Sequence, residues 1–279
     1  MKTELYTIET LSNLHVGAGD INFDVIDNQV QREVPTNLPI INSSSLKGAF
    51  REHFSSFDEE GKKEKDSKMV RYIFGGSNKE NQTQAGAYSF FEATLLTRPV
   101  RSNKKSYFNA TSPLVITNLL ESIENFNIEF DEELKTSLLA LSKVEVKADK
   151  PIIFENISSV ILEDYEAENS KEDVSKVSEF LGENLALFSD EDFKNLDLPV
   201  LARNYLEDGI SKNLWYEEVV PKKSKFTFII AKPTNIDERD YEDKVKGFES
   251  RFTKEGSNLQ IGANKSIGYG FTKVTKVSK

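Results

Sequence analysis

The chain has 279 residues, with 36 Lys and Arg against 46 Asp and Glu, for a formal net charge of −10. It has no cysteine and only two histidines, His15 and His53. That excludes disulfides, thiolate nucleophiles, iron–sulfur clusters and Cys-bearing zinc sites, and argues against a His-rich one.

A hydrophobic share of 38%, with 19 Phe and 9 Tyr, suits a packed core rather than disorder. The acid excess is not the basic footprint usual for a nucleic-acid binder. No stretch approaches the roughly 18 apolar residues of a membrane span. The first residues lack the apolar core of a signal peptide, and Val274 to Lys279 carry no anchor signal. The expectation is a soluble, cytoplasmic protein.

Residues 3–12, with Leu5, Tyr6, Ile8 and Leu11, predict a first strand. A loop from Asn13 to Asn42 holds Gly17, Gly19, Pro35 and Pro39, and is long enough for small strands at 25–26 and 29–31. Ser43, Ser44 and Ser45 offer N-cap oxygens, and Leu46, Ala49, Phe50, His53 and Phe54 follow at helical spacing. Residues 55–68 read as a solvated break, 87–97 as a strand, and Thr111 to Phe126 as a helix with Pro113 in its first turn. Residues 128–210 read as an acidic, mostly helical insertion. A β-rich stretch from Val144 to Ile161 interrupts it as a candidate hairpin, and Glu166 to Val174 reads as a polar linker. Phe226, Phe228 and Ile230 alternate as in a half-buried strand. Asp237 to Thr253 predicts a helix with Tyr241, Val245, Phe248 and Phe252 on one face. Strands at 258–262 and 271–277 flank a Gly-rich loop, and no fixed-period repeat is present.

Four segments carry candidate chemistry. In His15-Val16-Gly17-Ala18-Gly19-Asp20, followed by Asp24 and Asp27, glycines permit close backbone approach and carboxylates suit a hard divalent cation; the alternative is a solvated acidic turn. Ser44, Ser45, Lys47 and Arg51 stand at a helix N-terminus, where free N–H groups attract anions; the alternative is ordinary capping. Gly48 inside that helix suggests close backbone packing. In the loop from Gly262 to Gly270, which also holds Asn264, Lys265 and Gly268, backbone N–H groups can cradle phosphate, though a hairpin turn explains the same residues. Finally, Leu214 to Pro221 holds the only Trp, Trp215, beside Glu217 and Glu218; a strand edge burying its aromatic in the core is the simpler reading.

Taken in order, these segments resemble the RAMP superfamily of CRISPR proteins. Leu14-His15-Val16-Gly17-Ala18-Gly19 is similar to the superfamily's opening, and Ile41 through Ser44-Ser45-Leu46-Lys47-Gly48-Ala49-Phe50-Arg51 to its strand-then-helix element. The run from Val25 to Glu33 resembles the repeated backbone subunit of the type III-B (Cmr) effector complex, its subunit four. So do Ile73-Phe74-Gly75, Phe91 to Leu96, Arg98 to Ser102, Leu214 to Pro221 and the terminal Gly-rich loop. The acidic middle matches poorly.

The resemblance implies an α+β fold: a single RAMP domain over 1–279, with a ferredoxin-like (RRM-type) core and helical and β-hairpin (thumb) insertions. Residues 144–165 are one candidate for the thumb. It implies a multi-copy filament along CRISPR RNA that cuts complementary single-stranded target RNA at regular intervals, with other copies of itself and other Cmr subunits as partners and no membrane. Asp27 falls on the family's catalytic aspartate and would hold a divalent cation, Mg2+ or Mn2+, or deprotonate a target 2′-OH. His15, Glu217 and Glu218 would assist. Ser44, Ser45, Lys47, Arg51, Gly262, Asn264, Lys265, Gly268 and Gly270 would bind RNA. The alternatives are a non-cutting structural backbone protein and the equivalent type III-A (Csm) subunit.

Overall fold

The computed structural model describes residues 1–19, 25–57, 63–64, 68–77, 83–234, 245 and 247–278. Its spine is an antiparallel sheet built from both ends of the chain. β1 (Lys2–Thr10) sits centrally, and its buried Leu5, Tyr6 and Ile8 belong to one continuous core. Further strands are β2 (Ile40–Ile41), β3 (Ser89–Phe90), β4 (Ala93–Val100) and β5 (Phe108–Thr111). Then come β6 (Ile152–Ile153), β7 (Glu168–Asn169), β8 (Leu185–Leu187), β9 (Val200–Glu207) and β10 (Ile210–Glu218). β11 (Lys225–Lys232), β12 (Leu259–Gln260) and β13 (Phe271–Lys276) close the series.

The main sheet runs β7-β6-β8-β5-β4-β11-β1-β13-β12, with β2 on β4 and β3 on β11. Four of these, in spatial order β13-β1-β11-β4, are all antiparallel. In chain order they are strands four, one, three and two of a β-α-β-β-α-β unit, the ferredoxin-like arrangement. The register is long and regular at the centre, with Glu4 opposite Ile230, Tyr6 opposite Phe228 and Ile8 opposite Phe226.

The helix between the first two core strands is α1 (Ser43–Phe54), which buries Leu46, Phe50 and Phe54. Burying each such side chain contributes about 1.5–3 kcal/mol. Its cap differs from the expected one. Ser43–Ser45 are already helical, and Asn42 precedes them without a side-chain cap bond. Gly48 is exposed, and a Cβ there would meet nothing within 4 Å, so close packing is not why it is glycine.

Aromatic rings join α1 to the sheet. Phe50 packs near Phe228 and edge-on to Phe252 at 4.9 Å, Phe54 stacks on Phe248 at 4.9 Å, and Tyr6 stacks on Phe228 at 5.3 Å. Phe248 and Phe252 come from the expected 237–253 helix. Its described helical residues are Val245 and Ser250–Thr253, and most of the rest, Tyr241 included, lies outside the described residues.

The other flank is widened by β5, β8, β6 and β7 and covered by helices Pro113–Asn125 and Glu132–Leu141. Ser112 caps the first helix by accepting from Val115 N–H, with proline in the first turn. The 128–210 region is less helical than its composition suggests. Helices cover 132–141, 175–181 and 190–195, and short strands take much of the remainder.

The thumb candidate 144–165 is not a long hairpin. Ile152–Ile153 joins the main sheet, and Ile161–Leu162 makes only a two-residue ladder with Tyr165–Glu166. The long hairpin is β9–β10, a two-stranded sheet separate from the main one. Asp208 and Gly209 turn it, both at positive φ (52° and 79°), which matches the twist of tight hairpin turns. Tyr205, Leu206, Ile210 and Leu214 are exposed along it.

Candidate functional site

Three stretches distant in sequence meet at the base of this hairpin. The N-terminal loop pairs with residues 28–31, through Ala18 N–H to the Gln29 carbonyl (3.0 Å) and Gln31 N–H to the Val16 carbonyl (2.8 Å). Residue 28 pairs in turn with β10, donating to the Tyr216 carbonyl (3.1 Å) and accepting from Glu218 N–H (2.9 Å). The Gly-rich loop closes from the other side. There Ala263 N–H donates to the His15 carbonyl and Gly270 N–H to the Asn13 carbonyl, both at 2.9 Å. This closure requires glycine. A Cβ on Gly262 (φ +80°) would lie 2.2 Å from the His15 carbonyl oxygen, and one on Gly270 (φ +75°) 1.9 Å from that of Ile261.

Asp27 sits on this junction with an exposed carboxylate, whose Oδ2 accepts the N–H of Tyr216 at 2.8 Å. His15 is buried. Its Nδ1 lies 2.7 Å from the Glu218 carbonyl oxygen. A carbonyl only accepts, so Nδ1 carries the proton and Nε2 faces Glu217 Oε1 at 4.0 Å.

Glu217 and Glu218 are both buried, and both carboxylates are fully engaged. Glu217 Oε2 accepts from Arg203 Nε (3.0 Å) and Nη2 (2.9 Å), and its Oε1 accepts from Asn264 Nδ2 (2.7 Å). Glu218 Oε2 accepts the N–H of Val30 (3.0 Å), and its Oε1 pairs with Arg32. Arg203 also lies over the Tyr269 ring, 4.6 Å from its centroid. Hairpin, N-terminal loop and Gly-rich loop are thereby locked together. A cavity of about 600 Å³ opens among them, lined by His15, Asn28, Arg203, Trp215, Glu217 and Asn264 among others.

A model of the RAMP superfamily matches residues 7–273. The CRISPR system Cmr endoribonuclease Cmr4 of Pyrococcus furiosus is 30% identical over 296 residues, spanning 99% of this chain and 96% of that one. The chain belongs to the RAMP superfamily, within its Cmr4 family. The crystal structure of oligomeric Cmr4 from Pyrococcus furiosus superposes with a TM-score of 0.72 at 26% identity, covering 100% of this chain and 99% of that one. The cryo-EM structure of the type III-B Cmr-beta complex bound to cognate target RNA contains a chain with a TM-score of 0.73 at 20% identity, covering 99% and 98%, which bears on the fold alone. The Cmr4 membership favours type III-B over the type III-A alternative.

Against this Cmr4 frame, the residues singled out in the sequence divide. Asp27, His15, Glu217, Glu218 and Asn264 converge. Asp20 and Asp24 lie outside the described residues. Gly262 and Gly270 act through loop closure. Gly268 (φ +85°) turns the loop in open space, and Lys265 stands exposed beside it in a 3-10 turn, Lys265–Ile267.

At α1, Ser45 Oγ accepts from Gln31 Nε2 (3.0 Å), and Gln31 also reaches the Gly17 carbonyl (3.2 Å), so the helix start is tied to the junction. Ser44 is exposed and Lys47 half-buried there. Arg51 does not join Lys47 in facing one anion; its guanidinium donates to the Gly75 carbonyl at 3.1 Å.

Trp215 corrects the sequence reading. It is half-buried on the cavity wall, not in the core, because β10 stands clear of the main sheet. Sequence reasoning missed Arg203 and Asn28. Arg203 lies directly opposite Trp215 once the hairpin is paired, and no local pattern in Val200–Glu207 marks it.

Among the described residues, no group of three or more His, Asp and Glu forms a metal cage. No helix among them is long and apolar enough to cross a membrane.

Proposed function

We propose that this chain is a repeated backbone subunit of a type III-B (Cmr) ribonucleoprotein, binding CRISPR RNA beside other copies of itself and other Cmr subunits in the cytoplasm, and cutting paired target RNA at Asp27. One observation carries the assignment of the site. Asp27 presents an exposed carboxylate, fixed by Tyr216 N–H, at the base of a free-standing hairpin. The Cmr4 relative is named an endoribonuclease, and its crystal structure is described as oligomeric. The β9–β10 hairpin takes the place of the thumb.

The chemistry needs no protein nucleophile. A target 2′-OH attacks the adjacent phosphorus, the O2′–P bond forms, and the P–O5′ bond breaks. The 2′-OH proton leaves to a base, and the departing 5′-oxygen gains one, giving a 2′,3′-cyclic phosphate and a 5′-OH. Asp27 is positioned to take that proton or to hold a cation. Glu217 and Glu218 act as positioning residues, because their oxygens are already engaged. His15 stands between them as a helper.

The donor set fits a hydrated Mg2+ or Mn2+ held by Asp27 with RNA phosphate oxygens, rather than a cage made by protein alone. When bound, such an ion stabilises charge on the reacting phosphate. Lys265, Lys47, Ser44 and Ser45 are the groups assigned to the RNA backbone.

The test is target cleavage by the assembled complex carrying wild-type chain or Asp27→Ala, with Mg2+ or with chelator, and with guide and target binding measured alongside. Regularly spaced cuts that vanish in the variant while binding persists are expected. Unchanged cutting would move catalysis elsewhere, and no cutting by either form would favour a purely structural backbone role.

A further inference from the structure

We infer that Arg98 is a positioning residue for target cutting, a tether that sets the tilt of the β9–β10 hairpin over the main sheet; this rests on the reading above, in which that hairpin takes the place of the thumb. Arg98 lies on β4, an interior strand between β5 and β11, and stands opposite Ala110 of β5. It is only 4% exposed. Its guanidinium donates from Nη1 to the Leu196 carbonyl (2.8 Å) and from Nη2 to the Asp197 carbonyl (2.5 Å). Leu198 and Pro199 follow those carbonyls, and β9 begins at Val200. One arginine fork therefore joins the sheet to the entry root of the hairpin.

A charge in that place is costly. Burial pushes the guanidinium down to about 10, which leaves it protonated near neutral pH. Its acceptors are backbone carbonyls rather than a carboxylate, and its Nε has no hydrogen-bond partner. Neutral acceptors offset less of the cost of burying a charge than a carboxylate would. What the residue supplies is geometry. A planar guanidinium reaches two successive carbonyls at a fixed angle, and the single ammonium of a lysine does not.

The two roots of the hairpin are held differently. At the exit, Val220 exchanges backbone hydrogen bonds with Leu14 (2.8 and 2.9 Å), Glu217 and Glu218 bond the two loops, and Tyr216 N–H holds Asp27. The entry root is attached to that side through Val219 N–H, which donates to the Pro199 carbonyl at 2.9 Å. Residues 195–199 and 221–223 line one cavity of about 1050 Å³ together with residues 98–101, so open space separates part of both roots from the sheet. Beside that space the entry root is anchored by buried Leu196 and Leu198 and by the Arg98 fork. Apolar burial has no preferred direction, whereas two bonds from one planar group fix an angle. The exit root is then the pivot and Arg98 the brace that sets the tilt. Freed from Arg98, the hairpin swings about its exit while Asp27 keeps its bond to Tyr216. Bonds in the target still break, but which bond lies in line beside the carboxylate varies.

The chain has no cysteine, so Lys212→Cys near the hairpin tip and Glu121→Cys on the Pro113–Asn125 helix place two spin labels cleanly. Distances between them are measured by electron double resonance on the full chain. Wild type is expected to give one narrow distribution, and Arg98→Met and Arg98→Lys distributions at least twofold broader. Assembled complexes carrying the same Arg98 variants without labels are then given target RNA. They are expected to keep total cutting within a few-fold of wild type and to spread it over the bonds flanking each wild-type site. A lower denaturation midpoint with unchanged distance width and unchanged cut sites is what a merely structural arginine would give, and it would overturn the tether. Broader distances with cuts confined to the wild-type bonds would overturn its part in positioning. Arg98→Lys keeps the charge and most of the volume, so the test stands if Arg98→Met fails to fold. Asp27→Ala is run alongside: normal cutting by that variant would overturn the nuclease reading, whereas the tether is judged on the distance widths, so the two failures are read separately.

Discussion

At the scale of single residues, the glycines around the site separate into those the backbone requires and those it does not. Gly262 lies at φ +80° with the His15 carbonyl oxygen where a Cβ would go, so Gly262→Ala combines left-handed strain with a clash. The strain alone costs about 1–2 kcal/mol, and a lower denaturation midpoint is expected in a urea titration. Gly48 is the converse. It is helical, exposed and surrounded by open space. Gly48→Ala is expected to stabilise the chain by about 1 kcal/mol, and weaker guide binding in that variant would show that RNA comes close to the helix there. In the sequence Gly48 suggested close packing, and Gly262 a phosphate-cradling loop or a hairpin turn. In the structure it is Gly262 that is closely approached, because the facing His15 carbonyl comes from a loop some 250 residues away. Glu217 and Glu218 teach the same lesson. The resemblance implied that they are catalytic helpers, while their partners Arg203, Asn264, Arg32 and Val30 N–H were invisible until the hairpin and loops had met.

At the scale of elements, what could be read locally was read well. Helix α1 follows from apolar spacing, the helix at Pro113–Asn125 from its serine and proline start, and the central strands from alternation. The β9–β10 hairpin was missed, and Trp215 with it. Along it Tyr205, Leu206, Ile210 and Leu214 stand exposed, though in sequence they resemble core positions. Nothing in the local pattern reveals that neither strand pairs with the main sheet. Exposed apolar side chains on a ribbon that stands off the main sheet make a surface for a partner rather than for the core. Its contribution to the fold should be correspondingly small. Replacing residues 205–213 by a two-residue Asn-Gly turn, which keeps Asn204 opposite Leu214, is expected to leave the thermal midpoint within a few degrees of wild type. In the assembled complex the same change should abolish the regular spacing of cuts. A large fall in the midpoint would mean that the ribbon supports the core after all.

At the scale of the whole molecule, charge decides two further behaviours. The end of the central sheet buries an ionic cluster in which Glu4 accepts from Tyr6 (2.7 Å) and Lys276 (3.0 Å) and pairs with Lys232, while Lys232 also reaches Glu249 at 2.6 Å. Burial alone pushes the Glu4 carboxyl up, but its hydrogen-bonded neighbours Glu249, Lys232, Tyr6 and Lys276 together hold it well below the ordinary 4.5. The folded state then binds fewer protons there than the unfolded state, so this stability is present above about pH 4.5 and is lost as pH falls further. Glu4→Gln is expected to cost a few kcal/mol at pH 7, as removing one partner of a buried pair does. It should also flatten the acid limb of a stability–pH curve; an unchanged limb would assign acid sensitivity to other carboxylates. The net charge of −10 sets the second behaviour. Arg32, Arg203 and Arg51 are each committed to protein acceptors, which leaves few cations near the site for phosphates. If Lys47 and Lys265 are the main contacts, the slope of log affinity against log salt for one subunit is about −1.4, and binding to a short RNA should be weak at physiological salt. Many such weak sites along one guide act together through effective concentration, so the filament binds where the subunit does not. Fluorescence anisotropy of a labelled short RNA, titrated with the isolated chain and then with the assembled complex, checks this directly. Tight binding by the monomer with a steep salt slope would place a basic groove where the structure shows paired arginines.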